Sequence, residues 1–155
     1  MKRWLKLIAL LVVAWCVMVI AHECGHLIGG WFGGGKLQHV ELRPWHLPHS
    51  LFVPDPKPLV TLWAGPLFGV GLPLVVALMV RGLPRAKLAA WFIADFCLLA
   101  NGAYLAASWI SGDRFLDTPR LLAAGASPVV IGAFCAAAIG IGYLRFRADC
   151  AAVWR

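Results

Sequence analysis

Three residues in the first quarter of the chain have the types and spacing of a metal-dependent hydrolase: His22, Glu23 and His26, within Ile-Ala-His-Glu-Cys-Gly-His-Leu-Ile at positions 20–28. On a helix, side chains four apart lie on one face, one turn above the other, so both imidazoles would project together. Glu23 would point off the edge of that face, within reach of a water held by a metal on the two histidines. This is the H-E-x-x-H arrangement, in which one helix offers two zinc ligands and a carboxylate base. The motif closes an apolar run that begins near Trp4. A charged side chain at membrane depth costs roughly 2.5–3.5 kcal/mol on insertion scales, and a bound cation is the natural offset. The alternative is a trio of interfacial polar residues just outside the lipid.

The whole chain is built like the run that carries the motif. Of 155 residues, 61% are hydrophobic and 14% charged, and the mean hydropathy is +0.80. Those values exclude an ordinary soluble domain and describe one integral membrane domain over residues 1–155. The net charge of +7 comes from basic residues scattered over prospective helix ends and loops. That pattern suits headgroup anchoring, not nucleic-acid binding. The five cysteines lack metal-type pair spacing and read as small apolar side chains. The start Met1-Lys2-Arg3 resembles a secretory leader, but Val19-Ile20-Ala21-His22-Glu23 makes a poor cleavage site.

The elements that must hold the motif follow from hydropathy and glycine/proline punctuation. All-α architecture is expected, with about four transmembrane helices at residues 4–31, 59–80, 88–110 and 128–144. Five glycines in Gly29-Gly30-Trp31-Phe32-Gly33-Gly34-Gly35 end the first span and let other backbone approach. Residues 36–57 carry alternating pieces such as Leu37-Gln38-His39-Val40-Glu41-Leu42, which predict a short β-hairpin-like segment at the membrane surface. His39, His46 and His49 lie there and are expected to face water or headgroups. In the second span, Gly65 and Gly69 make a small-xxx-small face around Pro66, either a packing kink or the wall of a site.

A hydrolytic zinc site needs a third protein ligand. Asp95, Asp113 and Asp117 are the candidates. At 1.5 Å per residue, the motif lies roughly 30 Å past Trp4, Asp113 roughly 39 Å past Lys87, and Asp95 only about 12 Å past it. Depth therefore favours Asp113. Asp117 is the alternative if the chain folds back at Gly112. Asp95 is expected in a structural pairing, and Asn101 as a contact to substrate or oxyanion.

A membrane-embedded His-Glu-Cys-Gly-His, a glycine-rich exit into a hairpin, Ala64-Gly65-Pro66 in the next span and Gly112-Asp113 after the third together resemble the site-2 protease family of intramembrane zinc metalloproteases. The resemblance covers about residues 15–120. It implies zinc on His22, His26 and Asp113, with Glu23 as base. The family takes its third ligand from Asn-Pro-Asp-Gly or Leu-Asp-Gly, and Ser111-Gly112-Asp113-Arg114 lacks the following glycine. The implied substrate is a transmembrane segment of another membrane protein, locally unwound and aligned as an added strand on residues 36–44. The competing class is a non-catalytic membrane metal-binding or transport protein, against which the intact Glu23 speaks. The expected location is a bacterial cell membrane, multi-pass. Nine Lys and Arg at the termini and the 81–87 turn, against five in the opposite loops, favour cytoplasmic termini. The family's usual placement of the hairpin implies the reverse.

Overall fold

A computed structural model describes residues 2–46 and 48–154; Met1, Leu47 of the expected hairpin, and Arg155 lie outside the described residues. The chain runs α1 (Lys2–Phe32), β1 (Leu37–Glu41), β2 (His49–Phe52), α2 (Pro58–Met79), α3 (Pro84–Ser111), α4 (Asp117–Ala123) and α5 (Pro128–Trp154). α1, α2, α3 and α5 are each long and apolar enough to cross a membrane. Three of these four start on a proline, which loses nothing at a first helical position because no intrahelical acceptor exists there for its missing N–H. Large side chains such as Ile8, Val12, Leu67, Val75, Val130 and Ile141 point outward, the reverse of a soluble bundle.

The interior is layered along the bundle. Ala14, Phe92 and Val153 join α1, α3 and α5 near the chain termini, and Met18, Val19 and Cys97 form the next layer. Leu62, Leu105, Leu121, Ile131 and Cys135 gather α2, α3, α4 and α5 at the other end. The His-Glu-x-x-His turn of α1 lies between the last two layers, below α4.

Two features depart from the expected spans. α5 does not stop near residue 144 but continues through the basic stretch to Trp154, with Arg145 paired to Asp95 of α3 (Nε to Oδ1 2.7 Å). The pairing gives Asp95 the structural role expected of it and removes a bare cation from the helix surface. The seven-residue α4 was not anticipated; Pro119 and the short run of periodicity hid it.

A third feature adds to the expectation: the β-hairpin predicted after the first helix is present, and it packs against α1. β1 and β2 pair antiparallel, Val40 opposite Ser50 and Glu41 opposite His49. Phe52 packs on α1 at Gly30, where any Cβ would strike its ring. Further down, Ser50 reaches Glu23, and at the tip the Trp15 indole donates to the Pro44 carbonyl at 3.1 Å. Trp15 precedes the end of α1 by 17 residues, roughly 26 Å of helix. The hairpin therefore lies along α1 and re-enters the bundle. Its tip is held by Glu41 and Arg43, whose side chains pair directly; the Arg43 hydrogen bonds hold the Glu41 carboxyl down at about 2. Within the hairpin, Ser50 and Phe52 of β2 are buried against α1 while β1 is largely exposed.

Candidate metal centre

His22 and His26 project from α1 onto the carboxylate of Asp117, the first residue of α4. His22 Nε2 lies 2.8 Å and His26 Nε2 3.2 Å from Asp117 Oδ2, and the two Nε2 atoms are 3.0 Å apart. All three side chains are buried.

The structure brings Asp117, not Asp113, to the histidines. Asp113 is exposed, and its Oδ1 accepts the Phe115 backbone N–H at 3.0 Å, an Asx turn within its own loop. The depth comparison favoured it by assuming that the chain continues outward past α3. Instead Gly112 adopts a left-handed conformation (φ +66°) and the chain reverses. Thr118 then fastens α4 back onto α3: its N–H donates to Ser108 Oγ (3.0 Å) and its hydroxyl to the Leu105 carbonyl (2.7 Å). This drops Asp117 to the level of the histidines. A sequence signal existed in Leu116-Asp117-Thr118-Pro119, an acidic residue and a proline in the first turn of a helix.

Asn101 does not face a substrate. It is fully buried behind the centre, its Oδ1 2.7 Å from His22 Nδ1 and its Nδ2 donating to the Cys97 carbonyl at 2.8 Å. Because the amide must turn its NH2 toward a carbonyl, its oxygen faces His22, and His22 Nδ1 is the donor. His26 Nδ1 likewise donates to the Thr61 carbonyl at 2.8 Å, in the turn of α2 just ahead of Pro66. With both Nδ1 atoms committed to these partners, each imidazole turns its Nε2 toward the other and toward a carboxylate oxygen.

Three acceptors within 3.2 Å of one another repel unless a positive centre lies among them. One proton serves a single edge of that triangle, whereas a cation serves all three. Tetrahedral ligands at ordinary zinc distances sit about 3.3 Å apart, so the residues fit zinc after an expansion of a few tenths of an ångström. Glu23 is the next anionic group. One of its oxygens lies within 4.8 Å of a nitrogen on each histidine, and Ser50 of β2 donates to its Oε2 at 2.8 Å. Ser50 escaped the sequence reading because nothing in a short strand signals which α1 residue it will meet. Among the described residues, no comparable group of His, Cys, Asp or Glu lies apart from this centre.

α2 is the wall behind the centre. A Cβ on Gly65 would collide with the His26 ring, and one on Gly69 would come 2.7 Å from Asn101 Oδ1. The small-xxx-small face therefore serves the site as well as the helix contact. On the open side a cavity of about 400 Å³ reaches Glu23, His26 and Asp117 between β2 and α4. A second, of about 290 Å³, opens between Trp15 and Tyr104 and also touches His22 and Glu23. His49 lines the first and His46 the second, while His39 stacks on His49 across the hairpin.

The centre defines a four-span membrane protein whose first helix, α4 and re-entrant hairpin converge on a His-His-Asp cluster flanked by a carboxylate. No protein-family model, curated protein or solved structure matches the chain.

The Asn101 arrangement carries a direct expectation. Asn101→Leu keeps the branched heavy-atom skeleton but removes the acceptor for His22 Nδ1–H, so the ring loses its tautomer and its aim. Zinc affinity should fall roughly 10–100-fold, the usual consequence of losing a partner behind a metal-ligating histidine. Competition against a chromophoric chelator measures it. Unchanged affinity would place His22 outside the ligand set.

Proposed function

We propose that this chain is an intramembrane zinc metalloprotease of the site-2 protease kind, cutting peptide bonds in or near transmembrane segments of membrane proteins. The observation that carries the reading is the triangle of two Nε2 atoms and the Asp117 oxygen, set inside the bundle with Glu23 beside it. Zinc held by His22, His26 and Asp117 would supply Lewis acidity and a water acidified to a pKa of about 7. Glu23 would serve as the base, accepting a proton from the attacking water and returning it to the departing amine. The Ser50 hydroxyl keeps the Glu23 carboxylate turned toward the cavity.

Substrate placement follows from which strand borders that cavity. The sequence reading put an added strand on residues 36–44, yet the cavity is lined by His49, Ser50 and Leu51 of β2 and by no residue of β1. Among the described residues, β1 is the one hydrogen-bonded neighbour of β2. An extended segment entering between β2 and α4 would therefore meet β2 and lie across Glu23 and Asp117. A helix must unwind to enter, since its own hydrogen bonds shield its carbonyls.

The test is reconstitution of the purified chain in lipid vesicles with a single-span peptide carrying a central Gly-Pro pair. Cleavage should disappear on zinc chelation and return on adding zinc. A preparation that holds one zinc per chain and cuts no peptide of a varied single-span set would instead support a non-catalytic metal-binding protein.

A further inference from the structure

At the opposite end of the bundle from the metal centre, a cavity of about 620 Å³ opens among the end of α2, the start of α3 and the last turns of α5. Arg81, Lys87 and Arg145 line it, with Trp91, Leu78 and Asp149. Arg145 is engaged on its inner side: its Nε donates to the buried Asp95, and its guanidinium lies over the Trp91 ring, 4.8 Å from the centroid. Arg81 and Lys87 are exposed and have no ion-pair partner among the described residues. The three cations Arg81, Lys87 and Arg145 outnumber the two acids Asp95 and Asp149, so the pocket is net positive. Asp149 Oδ2 is buried there without a hydrogen-bond partner among the described residues.

The place of this pocket in the fold says what meets it. It lies where two spanning helices turn, in the same end layer as the N-terminus of α1 and the C-terminus of α5, where Arg3 donates to the Trp154 carbonyl. Charged pockets between spanning helices at that level face phospholipid headgroups. Tryptophan favours the same interface, where one end of its ring is apolar and the other wet. Leu78 and Leu88 continue the wall on the apolar side.

We propose that this cavity seats the headgroup of an anionic phospholipid, its phosphodiester between Arg81 and Lys87 with Arg145 behind. The occupant ties the α2–α3 turn to α5.

Native mass spectrometry of the detergent-purified full chain tests this with phosphatidylglycerol, phosphatidylcholine and inorganic phosphate. Phosphatidylglycerol should be retained, and Arg81→Gln and Lys87→Gln should each weaken it roughly five-fold, as expected for losing one cation near a headgroup. Arg85→Gln removes a charge from the same turn but outside the cavity and should leave retention unchanged. Both cavity residues are exposed, so their loss leaves folding intact. Equal retention of phosphatidylcholine would overturn the proposal, as would an Arg85→Gln effect as large as that of Arg81→Gln. Displacement of the lipid by millimolar inorganic phosphate would reveal a small-anion site instead.

Discussion

Glu23→Gln is expected to abolish peptide cleavage in vesicles while zinc content and thermal stability stay at wild-type values. The glutamine keeps the shape of the side chain and an oxygen that accepts the Ser50 hydroxyl, so the packing between α1 and β2 survives. What disappears is the basicity. Loss of a positioned general base typically costs 10²–10⁴-fold in rate, about 3–5 kcal/mol of barrier. The variant also decides between two roles for this carboxylate, since an oxygen lies within 4.8 Å of the histidine nitrogens. Zinc lost together with cleavage would make Glu23 a ligand. Cleavage at the wild-type rate would remove it as the base. The paired measurements are metal content by atomic emission and single-turnover cleavage of the reconstituted peptide.

The second large effect separates two aspartates four residues apart. Asp117→Ala should reduce zinc affinity by more than the roughly 10–100-fold that follows loss of a supporting partner, because it removes the anionic corner of the triangle and leaves two neutral nitrogens. Cleavage should vanish with the metal. Asp113→Ala should retain zinc and activity, since its carboxylate serves an exposed Asx turn and surface changes usually stay within about 0.5 kcal/mol. Chelator competition on the two purified variants gives the comparison. Zinc retained in Asp117→Ala and lost in Asp113→Ala would mean that the loop after α3 runs outward, and the reversal at Gly112 would be wrong. Thr118→Val is an informative companion: it removes the hydroxyl bond to the Leu105 carbonyl that keeps Asp117 at histidine level, leaving the carboxylate itself intact.

Residues 22, 23 and 26 were legible because a helix makes spacing into geometry. Four residues along α1 put both imidazoles on one side whatever surrounds them. The spans were legible for a similar reason: lipid admits long apolar helices and little else, so hydropathy alone delimits them to within a few residues. It failed at α5, where the arginine that would have ended a span is neutralised by Asp95 from another helix. Depth arithmetic along a single helix could not see the turn at Gly112. Side-chain roles were least legible where one group serves another. Asn101 was expected to meet substrate, and Ser50 was not singled out, because each is defined by the residue it touches across the bundle.

The sequence by itself determined that four helices are long and apolar enough to span a membrane and that two histidines and a glutamate share one turn of the first. Both follow from local rules, the cost of polar groups in lipid and the 3.6-residue period. Only the tertiary structure decided that Asp117 completes the cluster, that Asn101 and Thr61 turn both Nε2 atoms inward, and that the hairpin re-enters the bundle to hold Glu23. Those choices rest on contacts between residues 27 to 95 positions apart, which chain reversals set and no short pattern encodes.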